Sequence, residues 1–381
     1  MKIAIVHEWL TTMGGADRVV QVIHDIFPSA PIFTLVYNQQ TMPDAFRSMD
    51  IRPSFIQRLP FARSHHRAYL PLYPLAAEQF DLSSFDVVIS SSHCCAHFVL
   101  TRPDAFHVCY CHTPMRYAWD MRQGYLRTLP RLARPAAALL LSLMRQWDYV
   151  SAQRVDRFLA NSNAVRRRIE KHYRRQAHVL FPPVDVEFFL PAPEQQPGDY
   201  FFIMGRHVPY KRVDLAIAAF NLLGLPLLVA GTGPETARLA RMARPNVHFL
   251  GAISNDDARH YMAHCKAFIH PQEEDFGITA VEAQACGRPV IAFGRGGALD
   301  TVINGVTGTY FTEQTPDALA EAVSGFDQRQ FDPATIRQHA MSFRTELFTR
   351  RFRRLVWREL PLHGVTQQTN HLPAAEIRCD G

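Results

Sequence analysis

The chain is predicted to fold as two open α/β domains, each with a mostly parallel sheet, facing one another across a cleft. Three observations carry this expectation. At 381 residues the chain exceeds the roughly 250 to 300 at which a single hydrophobic core stops growing. Short β-branched runs alternate with helical patterns from the first residue, which is the rhythm of a parallel sheet covered by helices. That rhythm breaks once, at a Pro-rich stretch, and then resumes.

In chain order, strands are expected at Lys2–His7, Ile32–Tyr37, Val87–Ser91, Phe106–Cys111 and Phe158–Ala160. These define a first domain over residues 1–184. Pro182-Pro183 through Pro197-Gly198-Asp199 reads as weakly structured, with a linker over 185–199. A second domain over 200–341 then has strands at Tyr200–Met204, Leu227–Ala230, Val247–Leu250, Ala267–His270 and Pro289–Ala292. Residues 342–360 contain an Arg-rich helical pattern from Thr345 to Glu359, and 361–381 has the small and polar composition of a frayed end.

Hydrophobic residues at 47% and charged residues at 20% exclude disordered and collagenous classes. The longest apolar run, Pro135 to Met144, is far short of the roughly 20 residues that span a bilayer, and no secretory leader is read at the start. A cytoplasmic location is expected. Seven cysteines without paired CxxC spacing make neither a disulfide framework nor a zinc site, and Cys109 and Cys111 read as small hydrophobes on a buried strand. The net charge of +6 suits an anionic partner. From Ile51 to Ala77 there is no acid, and Arg52, Arg58, Arg63 and Arg67 alternate with Phe55, Phe61, Tyr69 and Tyr73. Met121 to Trp147 repeats the pattern, with Arg122, Arg127, Arg131, Arg134 and Arg145 around Leu and Ala and again no acid. Such stretches predict peripheral attachment of the first domain to an anionic membrane surface; ordinary helices with one solvated face are the alternative. Nucleic-acid binding lacks a recognisable reading module.

In open α/β sheets, ligands bind outside the carboxyl ends of the strands, so the residues after each strand are the candidates. Gly14-Gly15 precede a helix opening at Ala16 or Asp17, where backbone amides could approach a phosphate, or form a plain tight turn. His112 follows the strand ending at Cys111 and precedes Pro114; it is either held near the crevice or structural. Arg206 and Lys211 lie on one strand-to-helix loop, able to converge on a diphosphate or to form a solvated basic loop. After His270 come Glu273, Glu274 and Asp275, then Phe276, Gly277 and Ile278 where a helix begins, with Glu282 two turns on. Acids before a helix compensate its dipole, yet the amides of Phe276 and Gly277 would stand open beside Glu274. A dinucleotide-dependent oxidoreductase would share the alternating pattern, but the first turn lacks GxGxxG.

In combination, with Glu274 and Glu282 spaced as Glu-x7-Glu, the chain resembles glycosyltransferase family 4. Gly14-Gly15, His112, Gly205-Arg206 with Lys211-Arg212, Gly231-Thr-Gly233-Pro234, Glu274 to Ile278, Gly287-Arg-Pro289-Val and Gly296-Gly297 carry the likeness in order along the chain. His7-Glu8-Trp9-Leu10 and Cys111 to Trp119 are further similar to bacterial exopolysaccharide and O-antigen mannosyltransferases. The resemblance implies a GT-B fold of two facing Rossmann-like domains, with the C-terminal helix packing back on the first. It implies transfer with retention from a nucleotide sugar, GDP-mannose by the closer likeness and a UDP-sugar by the wider family; a nucleotide-sugar-binding subunit without turnover is the other alternative, since every named residue could bind without transfer. The acceptor implied is a polyprenyl-diphosphate-linked oligosaccharide, at the inner face of the cytoplasmic membrane. Carried onto this chain, Arg206 and Lys211 would neutralise the diphosphate, Glu282 would bind the ribose, and Glu274 the donor hexose. The amides of Phe276, Gly277 and Ile278 would line sugar and phosphate. Gly14 and Gly15 would permit close approach from the first domain, and His112 would contact the transferred sugar. The base would lie against Leu250–Ile253. No cofactor and no metal are expected, because no DxD element stands at a strand end and the two cations can take a metal's part.

Overall fold

A computed structural model describes residues 1–192 and 198–357. The middle of the expected linker (193–197), the end of the C-terminal helical pattern (358–360) and the 361–381 tail lie outside the described residues.

The first sheet has seven parallel strands: β1 (Ile3–Leu10), β2 (Ile32–Tyr37), β3 (Ile51–Pro53), β4 (Val87–Ser92), β5 (Phe106–Cys111), β6 (Arg157–Ala160) and β7 (Ala177–Val179), in the order β3-β2-β1-β4-β5-β6-β7. The second has six: β8 (Phe201–Met204), β9 (Leu227–Ala230), β10 (Val247–Gly251), β11 (Phe268–His270), β12 (Val290–Phe293) and β13 (Gly308–Phe311), in the order β10-β9-β8-β11-β12-β13. Both are covered on two faces, and the period of two along a strand sorts the cores. Ala4 and Val6 of β1 enter one cluster and Ile5 the other. In the second domain Phe202 enters one cluster, Phe201 and Ile203 the other.

Three strands were not expected, β3, β7 and β13. The first two are three-residue edge strands containing Pro53 or flanked by charge, too short for a period-2 pattern to register. β1 runs three residues further than expected, because Glu8 is a core residue here and not the end of the strand.

Order reverses between β1 and β4 in the first sheet and between β8 and β11 in the second. These are the topological switch points where open sheets bind ligands. The loops after β1, β8 and β11 are those that carry Gly14-Gly15, Arg206 to Lys211 and Glu273 to Ile278.

The segment between the sheets is not loose throughout. Val184, Val186, Phe189 and Ala192 pack into the second domain's core with Ala340 and Phe343, so apolar anchors override the local proline signal. The helix Thr345–Trp357 returns to the first domain and buries Phe348, Phe352 and Val356 beside Val19, Ile23 and Phe27. Its apolar residues four apart make one stripe, with Arg on the opposite face. The outgoing and returning crossings lie side by side, Val184 N donating to Phe343 O at 2.9 Å.

Candidate functional site

The site forms where the two switch points face each other. On the second domain, β8 ends at Met204 and its loop brings Lys211 against Glu274, which follows β11; Lys211 Nζ donates directly to Glu274 Oε1. Gln272, almost fully buried, donates to the same oxygen at 3.2 Å and so fixes the carboxylate. Burial, with the Arg116 guanidinium nearby, lowers the Lys211 ammonium to about 8, Asp275 pulling the other way.

Next to this pair the helix Ile278–Ala285 begins. Gly277 caps it at φ +95°, in the left-handed region, and a Cβ there would lie 3.1 Å from His270 Nε2. Among the described residues no acceptor meets the amides of Phe276, Gly277 or Ile278. A helix N-terminus with open amides beside an ammonium attracts an anion. The Phe276 ring does not face this space; it packs between Phe181 and Phe343, leaving only its backbone for a ligand. Gly297 supports the turn from behind, since a Cβ there would come within 2.3 Å of Phe276 Cα.

The first domain closes the other side. Gly14 is the N-cap of the helix Gly15–Ile26 and its amide donates to Asp17 Oδ2 at 2.9 Å. A Cβ on Gly15 would lie 2.9 Å from Ile278 Cδ1, so Gly15 serves close approach between domains. Glu282 lies on the same helix as Ile278, but it is buried and pairs with Arg18 of the first domain at 2.8 Å. Burial pushes its carboxyl up and Arg18 pulls it back.

His112 follows directly on β5, half-buried, its Nε2 at 2.9 Å from Ser91 Oγ. Burial and the neighbouring His93 and His7 lower its imidazole to about 3, so it is neutral at pH 7 and can contact a sugar hydroxyl only as a neutral hydrogen-bonding group. Arg206 is exposed, and its guanidinium makes no ion pair or hydrogen bond among the described residues, while its carbonyl accepts from Val208 N at 2.9 Å. Of the expected set, the structure brings Lys211, Glu274 and the Phe276–Ile278 amides together, with Gly15 against Ile278; Arg206 and His112 stand apart from those contacts. Leu250 and Ile253 lie half-buried at the edge of the second domain's core.

Four groups at the site carry charge that the sequence reading did not assign. Arg18 holds Glu282. Arg116 and Arg168 both reach Asp275, the first at 3.5 Å, and Arg168 also reaches Glu273 at 3.6 Å. Two of the three acids before the helix, Glu273 and Asp275, are therefore matched from the other domain, and Glu274 by Lys211 of its own. Glu8, fully buried within β1, accepts from the amides of His93, Cys94, Cys95 and Ala96 and from Ser92 Oγ. A glutamate inside an apolar strand was the available signal for it. Among the described residues no cluster of three or more His, Cys, Asp or Glu is placed to hold a metal ion.

Residues 13–188 match the domain described as Glycosyltransferase Family 4, and residues 187–337 that described as Glycosyl transferases group 1. Similar curated proteins include a D-inositol 3-phosphate glycosyltransferase of Mycobacterium marinum, 32% identical over 195 residues (45% of this chain, 42% of the relative). Another, of Mycolicibacterium paratuberculosis, is 30% identical over 243 residues (54% of this chain, 55% of the relative). The chain thus spans about half the length of the curated relatives it matches. Among solved structures, sucrose-phosphate synthase of Thermosynechococcus elongatus is similar at a TM-score of 0.73 and 16% identity, covering 95% of this chain and 100% of that one. HepE of Anabaena, in complex with UDP, is similar at 0.67 and 15%, covering 93% and 99%. With both halves matched in sequence and the whole fold matched in space, the chain has the GT-B fold, with a Glycosyltransferase Family 4 domain in its N-terminal half and a Glycosyl transferases group 1 domain in its C-terminal half.

Proposed function

We propose that this chain transfers a hexosyl group, with retention, from a nucleotide sugar to an acceptor held by the first domain. The observation that carries the reading is the Lys211–Glu274 pair beside the open amides of Phe276 to Ile278. The diphosphate would lie between Lys211 and those amides, with exposed Arg206 swinging onto it. Charge grows on the leaving phosphate as the C1–O bond breaks, and preorganised cations and amides stabilise it more there than in the ground state. The acceptor oxygen bonds to C1 on the same face, and the departing phosphate oxygen takes its proton. Glu274, released from Lys211 by the incoming diphosphate, would hold the sugar hydroxyls; Glu282 would turn from Arg18 to the ribose. His112, neutral, would contact the transferred sugar.

We infer GDP-mannose as the donor and a polyprenyl-diphosphate-linked oligosaccharide as the acceptor, supported by the Cys111 to Trp119 segment and the basic first domain. Peripheral membrane association at the cytoplasmic face belongs to the same reading. No helix among the described residues is long and apolar enough to cross a membrane. A UDP-sugar is the second reading, prompted by HepE, whose complexes hold UDP.

Calorimetric titration with GDP-mannose, GDP and UDP, paired with a transfer assay of Lys211→Ala and Glu274→Ala, tests both levels. Each variant is expected to lose transfer by roughly a hundredfold, about 3 kcal/mol, while remaining folded. Wild-type transfer in either variant would refute the site, and UDP binding without GDP binding would replace the donor.

A further inference from the structure

We propose that a depression on the first domain, away from the donor residues, binds the diphosphate headgroup of an amphiphilic acceptor. The proposal rests on the reading that the first domain receives the acceptor, and it assigns the place. The depression has a volume of about 400 Å³ and is lined by Ala118, Trp119, Asp120, Arg122, Arg145 and His172. That is within the size range of small-molecule sites, roughly 300 to 1,000 Å³.

Its polar groups are arranged for an anion. Arg122 Nε is buried and has no hydrogen-bond partner among the described residues. An unpaired buried donor costs free energy that a phosphate oxygen would recover. The Arg145 guanidinium is held in place by donation to Ala118 O at 3.1 Å and to Ser142 Oγ at 3.3 Å, which leaves it donors to spare. Asp120, the one carboxylate in the lining, is already matched by Arg168 at 3.0 Å and His172 at 2.8 Å, so the residual charge is positive. Trp119 forms a fixed wall, its Nε1 donating to Asp148 at 2.7 Å and its ring stacked on His172 at 4.5 Å.

Two further features choose the ligand class. Arg168, which binds Asp120 at the rim, also binds Asp275, the neighbour of Glu274. Arg168 therefore links the rim of this depression to the residue next to the donor carboxylate, and a sugar borne on the bound phosphates could reach the cleft. Leu132, just before the helix Arg134–Ala152 that carries Arg145, is 96% exposed, and Leu139, Leu143 and Val150 are exposed on the face of that helix turned away from Arg145, outside the depression. A free phosphate or nucleotide has no use for that face; a lipid chain does. Arg122 and Arg145 together offer donors for two phosphates, so the occupant is a single lipid diphosphate.

Calorimetry of the full chain with farnesyl diphosphate below its micellar range, in saturating GDP and UDP, is the test. Binding should persist with nucleotide present, weaken at least about tenfold in Arg122→Glu and in Arg145→Gln, and be at least about tenfold weaker for farnesol, since one lost charged hydrogen bond is worth about that factor. Arg122→Gln gives the same reading if the charge reversal does not fold. No binding, displacement by nucleotide, equal binding of farnesol, or indifference to both arginine substitutions would overturn the proposal. Failure of the glycosyl-transfer reading shows separately, as absent nucleotide binding by the wild-type protein.

Discussion

Glu8 and Lys211 show how single charges are set by their surroundings. Burial alone would push the Glu8 carboxyl up, but the His93 and His7 imidazoles and the Cys94 amide outweigh it and hold the group well below the usual carboxylate range. A depressed folded value means that Glu8 stabilises the fold fully above the unfolded value near 4.5, and that this is lost as pH falls through the depressed one. Glu8→Ala would leave four backbone amides around a buried void, and a loss of about 3 kcal/mol is expected by urea unfolding at pH 7. A loss below half of that would mean water replaces the carboxylate freely. Lys211 works in the opposite pH range. With its ammonium lowered to about 8, the free protein loses this cation as pH rises, whereas a bound diphosphate favours the charged form. Nucleotide affinity should therefore fall from pH 7 to 9 by up to about tenfold per unit, and Lys211→Arg should flatten the curve. Calorimetric titration across that range checks it, and a flat wild-type curve would contradict it.

At the level of elements, the C-terminal helix matters more than its charged composition implies. Phe352 is fully buried in the first domain's core, so Phe352→Ala should cost about 3 to 5 kcal/mol and lower the denaturation midpoint of that domain although the residue follows the second in sequence. The two basic stretches divide differently from expectation. Tyr73 is buried and Phe55 and Tyr69 pack against the core, so of the aromatics in the first stretch only Phe61 is presented outward, at 77% exposure, beside exposed Arg58 and Arg63. In the second, Leu139 and Leu143 face outward. Apolar side chains can enter the headgroup boundary while each nearby cation adds about 1 kcal/mol on an anionic leaflet. Flotation with anionic liposomes at low salt should carry the wild type upward, and Phe61→Asp combined with Leu143→Glu should abolish this; unchanged flotation would place contact elsewhere.

For the molecule as a whole, two domains joined by paired crossings meet through a row of ion pairs and hydrogen bonds. Arg18 with Glu282, Arg116 and Arg168 with Asp275, and Asn163 with Asp300 span the cleft. The two crossings, paired at Val184 and Phe343, are where the chain passes between the domains, so a rotation of one domain against the other would bend there. Arg168 contributes most links, to Asp275 and Glu273 across the cleft and Asp120 on its own side. Arg168→Ala should raise the radius of gyration in small-angle scattering without changing the denaturation midpoint of either domain. An unchanged scattering curve would mean that closure is held by apolar contacts such as Gly15 on Ile278.

The alternation of β-branched runs and helical patterns was enough, read alone, to determine two parallel α/β domains, because the periods of 2 and 3.6 are local properties of the chain. It also located Lys211, Glu274 and the glycine turn at Gly277, since loops after strands are where an open sheet leaves backbone and charge unsatisfied. Edge strands β3 and β7 escaped because three residues hold no period. What only the tertiary structure decided is which charges meet. Arg18, Arg116 and Arg168 stand 107 or more positions away from the acids they bind across the cleft, and no local pattern distinguishes them from solvated arginines. Glu8 likewise reads as the end of a strand until the chain 84 to 88 positions on folds over it and supplies the amides that keep it charged. Pairing at such separations is set by where the two sheets place their carboxyl ends, which is a property of the assembled fold.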